Sequence, residues 1–119
     1  MIDLLQKAAR EAGEVLMKYF NQGVKANYKT SHKNIVTEAD LTSQKIIYNS
    51  IISGMLRKGY KKNDIGFIGE ENLNISGKHK FIIDPVDGTS NFASSYGYFC
   101  ISIAYAESNN IKSVLFLTR

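Results

Sequence analysis

A chain of 119 residues with net charge +4 and 44% apolar content is sized for one domain able to bury a core, which excludes a disordered or fibrous protein. Its single cysteine excludes an internal disulfide or a cysteine metal cluster, and no apolar run approaches the ~20 residues of a membrane span. Met1-Ile2-Asp3-Leu4-Leu5-Gln6-Lys7 lacks a signal-peptide layout, so a cytoplasmic protein without membrane contact is expected.

Leu5, Ala8, Ala9, Ala12, Leu16, Tyr19 and Phe20 recur at helical spacing and predict a helix from Ile2 to about Phe20, ended near Asn21-Gln22-Gly23. A second helix fits about Asp40 to Leu56, with Ile46, Ile47, Ile51, Ile52 and Met55 on its apolar face and Gly54 or Gly59 helping to end it. Thr37-Glu38-Ala39-Asp40 precedes it and fits a capping box, in which Thr37 caps the helix and Asp40 reaches back. Lys25, Lys29 and Lys33, then Arg57, Lys58, Lys61 and Lys62, are loose basic groups: a solvated surface, or one that attracts an anionic ligand.

Strands are predicted at Asp64 to Ile68, Lys80 to Ile83, Phe99 to Ala106 and Ile111 to Leu117, with Asn72 to His79 and Ser108-Asn109-Asn110 as turns. Helices first and strands after argue for an α+β fold, two amino-terminal helices packed on an antiparallel sheet. The last strand leaves nothing to cover the sheet's other face, so an uncovered apolar surface or edge is expected unless another segment or subunit covers it. His32 and His79 fall in polar loop sequence with no paired ligand, which argues against a zinc site or a Ser-His-Asp triad. Cys100 lies in a strand pattern and reads as a core thiol. Tyr and Phe fall mostly at core positions, without the basic strand face that nucleic-acid stacking would need.

The chemistry concentrates in Phe81-Ile82-Ile83-Asp84-Pro85-Val86-Asp87-Gly88-Thr89-Ser90-Asn91-Phe92, preceded by Gly69-Glu70-Glu71. Asp84 stands where an apolar strand emerges, and Pro85 fixes the backbone beyond it. Two carboxylates three positions apart, with the Val86 carbonyl between them, offer the oxygen ligands that Mg²⁺ prefers. Gly88 lets the chain turn closely past a ligand. Thr89 supplies a hydroxyl and a free amide at an expected helix start, where phosphate is favoured. As plain structure, Asp84 and Asp87 would be turn formers, and Glu70 a solvated turn carboxylate.

These motifs, together with Ile35-Val36-Thr37-Glu38-Ala39-Asp40, resemble the inositol monophosphatase family of Mg²⁺-dependent phosphatases, in the family's order and near its spacing. The resemblance runs over essentially the whole chain. It implies that residues 1–119 are the amino-terminal portion of a layered αβαβα phosphatase fold whose carboxy-terminal half, with a late metal-binding Asp, is absent. It implies further that Glu70, Asp84, Val86 and Asp87 hold metal, and that Glu70 and Thr89 orient and deprotonate the attacking water. Gly88 and Thr89 would hold the phosphate, and Li⁺ would inhibit by occupying a Mg²⁺ site. Asp40, Glu71 and Lys29 match positions around the metals or the site mouth, for which a helix cap, a solvated carboxylate and a surface lysine are the plain alternatives. Gln44 stands where the family often has Glu, and Asn34 where Asp is frequent. The substrate implied is a small phosphomonoester, inositol phosphate first. The alternatives are a bisphosphate nucleotidase or fructose-bisphosphatase-like enzyme, or a non-catalytic remnant or regulatory binding protein. A homodimer, or association through the uncovered sheet, is the expected assembly.

Overall fold

Leu4, Leu5, Ala8, Ala9, Ala12 and Leu16 form the buried stripe of a first helix, α1 (Ile2–Ala26), and Ala39, Ile47, Ile51 and Met55 that of a second, α2 (His32–Arg57). The computed structural model describes residues 1–26, 32–70, 73–87 and 100–118, the side chains of 19–26, 32–37 and 85–87 excepted. After a 3-10 turn (Lys62–Asp64) come β1 (Ile65–Ile68), β2 (Asn74–Ile75), β3 (His79–Asp87), β4 (Cys100–Glu107) and β5 (Asn110–Thr118). They form one sheet in the order β2-β1-β3-β4-β5. On its helix-bearing face α1 packs on β4 and β5, and α2 on β1 and β3.

Both helices are longer than the sequence patterns predict. α1 continues through Gly23 to Ala26, because one glycine costs only ~1 kcal/mol relative to alanine and its neighbours carry the helix on. α2 begins at His32, which places Thr37 and Asp40 inside the helix and removes the capping box. A Thr-x-x-Asp spacing is also an ordinary i, i+3 pair on a helix face, so the pattern cannot tell start from interior. The other end is as expected. Gly59 adopts φ 95°, Tyr60 N–H donates to Met55 O at 3.1 Å and Gly59 N–H to Leu56 O at 3.0 Å, a Schellman closure that needs a left-handed residue.

The sheet is mixed rather than antiparallel. β1 pairs with β3 in parallel, Ile65↔His79 through Ile68↔Ile82, whereas the pairs β1–β2, β3–β4 and β4–β5 are antiparallel. The stretch expected as one turn from Asn72 to His79 contains β2, which pairs as Phe67↔Ile75, and the chain then crosses β1 to reach its other edge. The crossing passes at Gly66 and Gly77. A Cβ on Gly66 would lie 2.7 Å from Gly77 N and from Ile75 O, so two residues without side chains are what let it close.

Phe67, Phe81 and Tyr105 are register partners on β1, β3 and β4 and stack across the core, ring centroids 5.6 and 5.1 Å apart, with Tyr48 of α2 at 4.6 Å from Phe67. His79 belongs to this layer rather than to a loop. It is buried at the start of β3, its Nδ1 shares a 2.8 Å hydrogen bond with the Tyr105 hydroxyl, and Tyr60 meets its ring edge-on at 4.6 Å. Ser108 and Asn109, with φ 50° and 70°, form the predicted tight turn between β4 and β5. On the opposite face Ile68, Ile82, Val114 and Phe116 are exposed, Phe116 at 63%. Among the described residues no helix is long and apolar enough to cross a membrane.

Candidate active site

The parallel pairing decides which ends of the sheet meet. Because Ile68 lies beside Ile82, Glu70 and Asp84 each stand two residues further along neighbouring strand ends running the same way. Asp84 is half-buried and still paired with Ser102; Glu70 is exposed in the turn between β1 and β2.

Beyond Asp84 the strand does not end, as the Asp-Pro pair suggests, but continues to Asp87 with a bulge. Asp84 pairs with Ser102 and Asp87 with Cys100, so three steps on β3 match two on β4. The extra residue falls where Pro85 and Val86 stand, a position that tolerates a residue with no N–H to give the ladder. Cys100, opposite Asp87, is half-buried at the beginning of β4 rather than a core thiol, since the sheet ends there.

Glu70 is held through its main chain. Its N–H donates to Gln44 Oε1 at 2.8 Å, and Gln44 Nε2 donates to its carbonyl oxygen at 3.1 Å, as does Leu73 N–H at 3.2 Å. The sequence registers Gln44 only as a missing negative charge; its position one helical turn after Asp40 was the available signal for a shared face. Asp40 is half-buried on α2, and Ser43 Oγ bonds back to Ala39 O at 2.6 Å, so α2 satisfies its own buried hydroxyl there.

Glu71, Gly88, Thr89 and Lys29 lie outside the described residues, as do the side chains of Val86 and Asp87 and the helix start expected at Thr89. Among the described residues no group of three or more His, Cys, Asp or Glu side chains converges. The described carboxylates, Glu70 and Asp84, with the main-chain oxygen of Val86 between Asp84 and Asp87, are hard oxygen donors, and such a set fits a divalent cation of the Mg²⁺ class better than a soft metal.

Three comparisons bear on this site. The inositol monophosphatase family model matches residues 1–115. The fructose-1,6-bisphosphatase/inositol-1-monophosphatase of Thermotoga maritima is 35% identical over 93% of this chain and 41% of its own, and the Nus factor SuhB of Xylella fastidiosa 32% identical over 89% and 37%. The crystal structure of extragenic suppressor protein suhB from Bartonella henselae superposes with TM-score 0.76 at 28% identity, over 97% of this chain and 42% of that one. The chain thus spans about two fifths of the length of the curated relatives it matches.

Proposed function

The chain belongs to the inositol monophosphatase family, a family of phosphatases, and from that membership we propose that it forms the amino-terminal part of a cytoplasmic, Mg²⁺-dependent phosphomonoester hydrolase acting first on inositol phosphate. The observation that carries the proposal is the parallel β1–β3 register, which supports Glu70 and Asp84 as neighbours at one end of the sheet.

Glu70, Asp84, the Val86 carbonyl and Asp87 would hold the metal, which when bound supplies positive charge against the phosphoryl oxygens and acidifies water. Glu70 accepts the proton of the attacking water, and the Thr89 hydroxyl orients that water. The amides of Gly88 and Thr89 hold the phosphate as the water oxygen bonds to phosphorus in line with the departing ester oxygen. The phosphorus–oxygen ester bond breaks, and the departing oxygen takes a proton from solvent to leave as the alcohol, Glu70 returning to solvent the proton it accepted. By the family resemblance Asp40, Glu71 and Lys29 would belong around this centre, and Li⁺ would compete for a Mg²⁺ position. Residues 1–119 span about two fifths of the relatives' length, and the late metal-binding Asp of the family pattern is not among them, so whether these residues hydrolyse substrate by themselves is a matter for experiment.

The Thermotoga relative's name joins two substrates; the Gly69-Glu70-Glu71 and Asp87-Gly88-Thr89 forms lean toward inositol phosphate over fructose bisphosphate, and a substrate panel separates both from a nucleotide bisphosphate. A second reading, a regulatory binding protein, is favoured by the relative named a Nus factor. Phosphate release from inositol 1-phosphate by the 119-residue chain, with and without Mg²⁺, alongside Asp84→Asn, tests the proposal. Mg²⁺-dependent release lost in the variant supports it. Release that ignores both Mg²⁺ and the substitution overturns the metal role. A folded chain that binds Mg²⁺ only while Asp84 is intact, yet releases nothing, locates the site here and the activity in a longer form.

A further inference from the structure

We propose that Gln44 is a positioning residue for Glu70, setting that carboxylate for a divalent cation before the cation arrives; the inference rests on the metal-site reading above. Gln44 is 9% exposed. Its carboxamide meets both polar main-chain groups of a single residue, accepting from Glu70 N–H at 2.8 Å and donating to Glu70 O at 3.1 Å. A primary amide carries a donor and an acceptor side by side, so it does for Glu70 what a neighbouring strand does for a ladder residue. β1 has already ended at Ile68, and Glu70 lies beyond its pairing.

Gly69 is part of the same device. A Cβ at Gly69 would overlap Gln44 Oε1 and press on Leu73 Cδ2 at 3.0 Å, so the absence of a side chain is what lets the carboxamide reach the next peptide. Gly69 N–H in turn donates to Leu73 O at 2.9 Å, and Leu73 N–H to Glu70 O at 3.2 Å, which closes the turn on itself. With both peptide groups of residue 70 fixed, its side chain leaves a fixed Cα in a fixed direction. Holding a ligand's own supports in place is how a metal site gains affinity from residues that never touch the ion. A glutamate at position 44 could accept from Glu70 N–H but, when ionised, could not donate to the carbonyl. Gln44 is therefore more than a neutral stand-in for a charge; it supplies the donor that an ionised carboxylate lacks.

The test compares the 119-residue chain with Gln44→Leu, which keeps much of the bulk, and with Gly69→Ala, which displaces the carboxamide from the other side. Two quantities are read: hydrogen exchange at the Glu70 amide by NMR, and Mg²⁺ affinity by calorimetry. Both variants should lose protection at Glu70 while the amides of Phe67, Phe81 and Ile103 stay protected, and both should bind Mg²⁺ about tenfold more weakly. Unchanged exchange at Glu70, or lost protection with unchanged Mg²⁺ affinity, overturns the inference. If Gln44→Leu opens the whole core, Gly69→Ala decides by the same two readouts. A wild-type chain with a protected Glu70 amide and no Mg²⁺ binding has a different signature: the metal reading fails, and the positioning role falls with it.

Discussion

Gly66 and Gly77 pass each other with no room for a side chain on either. A Cβ on Gly77 would run into the backbone of Gly66 and Ile65 in β1 and lie 2.9 Å from Asp64 O in the turn just before it, all backbone atoms. The crossing brings β3 alongside β1 in parallel, and with it Asp84 alongside the Glu70 turn. Gly77→Ala should therefore destabilise the fold by about 1–3 kcal/mol, the usual cost of forcing atoms into a packed site. Urea unfolding gives the value. A change under about 0.5 kcal/mol would mean that the crossing relaxes freely.

Tyr105 links the core to the alkaline limb of the stability curve. Burial, and then the charges of Glu107 and Tyr60, push its phenol above the ordinary tyrosine value. The folded chain holds this proton more tightly than the unfolded one, so the contribution is fully present below the unfolded value of about 10 and is lost as pH rises through the folded value. Tyr105→Phe should flatten that part of the decline, which lies above about pH 10. At neutral pH it should cost on the order of 1 kcal/mol, because the buried His79 Nδ1 loses its 2.8 Å partner. Denaturant unfolding at several pH values, wild type against variant, checks both limbs.

Phe116 and Val114 on β5, with Ile82 on β3 and Ile68 on β1, form an apolar band on the sheet face opposite the helices. Phe116→Lys should reduce self-association of the 119-residue chain in sedimentation experiments. It should change unfolding stability by less than about 0.5 kcal/mol, as for most exposed positions. An unaltered sedimentation profile would remove this face as the surface of association.

Asp87 and Thr89 are assigned different tasks and should fail differently. Asp87→Asn keeps the shape and removes a charged ligand, so Mg²⁺ affinity by calorimetry should fall by at least about tenfold. Thr89→Ala should leave that affinity intact and slow hydrolysis by about a hundredfold in a catalytically complete form, the loss expected when a water-orienting group is removed. An equal loss of metal affinity in both variants would merge the two roles.

The sequence by itself determined the α+β class, the two helices and four of the five strands, because the apolar periods that mark them are local: Leu5, Ala8, Ala12 and Leu16 on α1, and Ile101, Ile103 and Tyr105 on β4. The candidate site residues Glu70, Asp84 and Asp87 were legible as residue types and spacing, and the proposed metal chemistry rests on them. Only the tertiary structure decided where helix α2 begins, since Thr37 and Asp40 have the same spacing whether they cap a helix or lie within it. The two-residue β2 is too short to show a period and exists because β1 offers it an edge. The parallel β1–β3 pair depends on Gly66 and Gly77, which are 11 residues apart in the chain and meaningful only once they cross. Gln44 has the same status: 26 residues separate it from Glu70, and only the packing of α2 on β1 and β3 turns a helix-face amide into the hold on an acidic side chain's main chain.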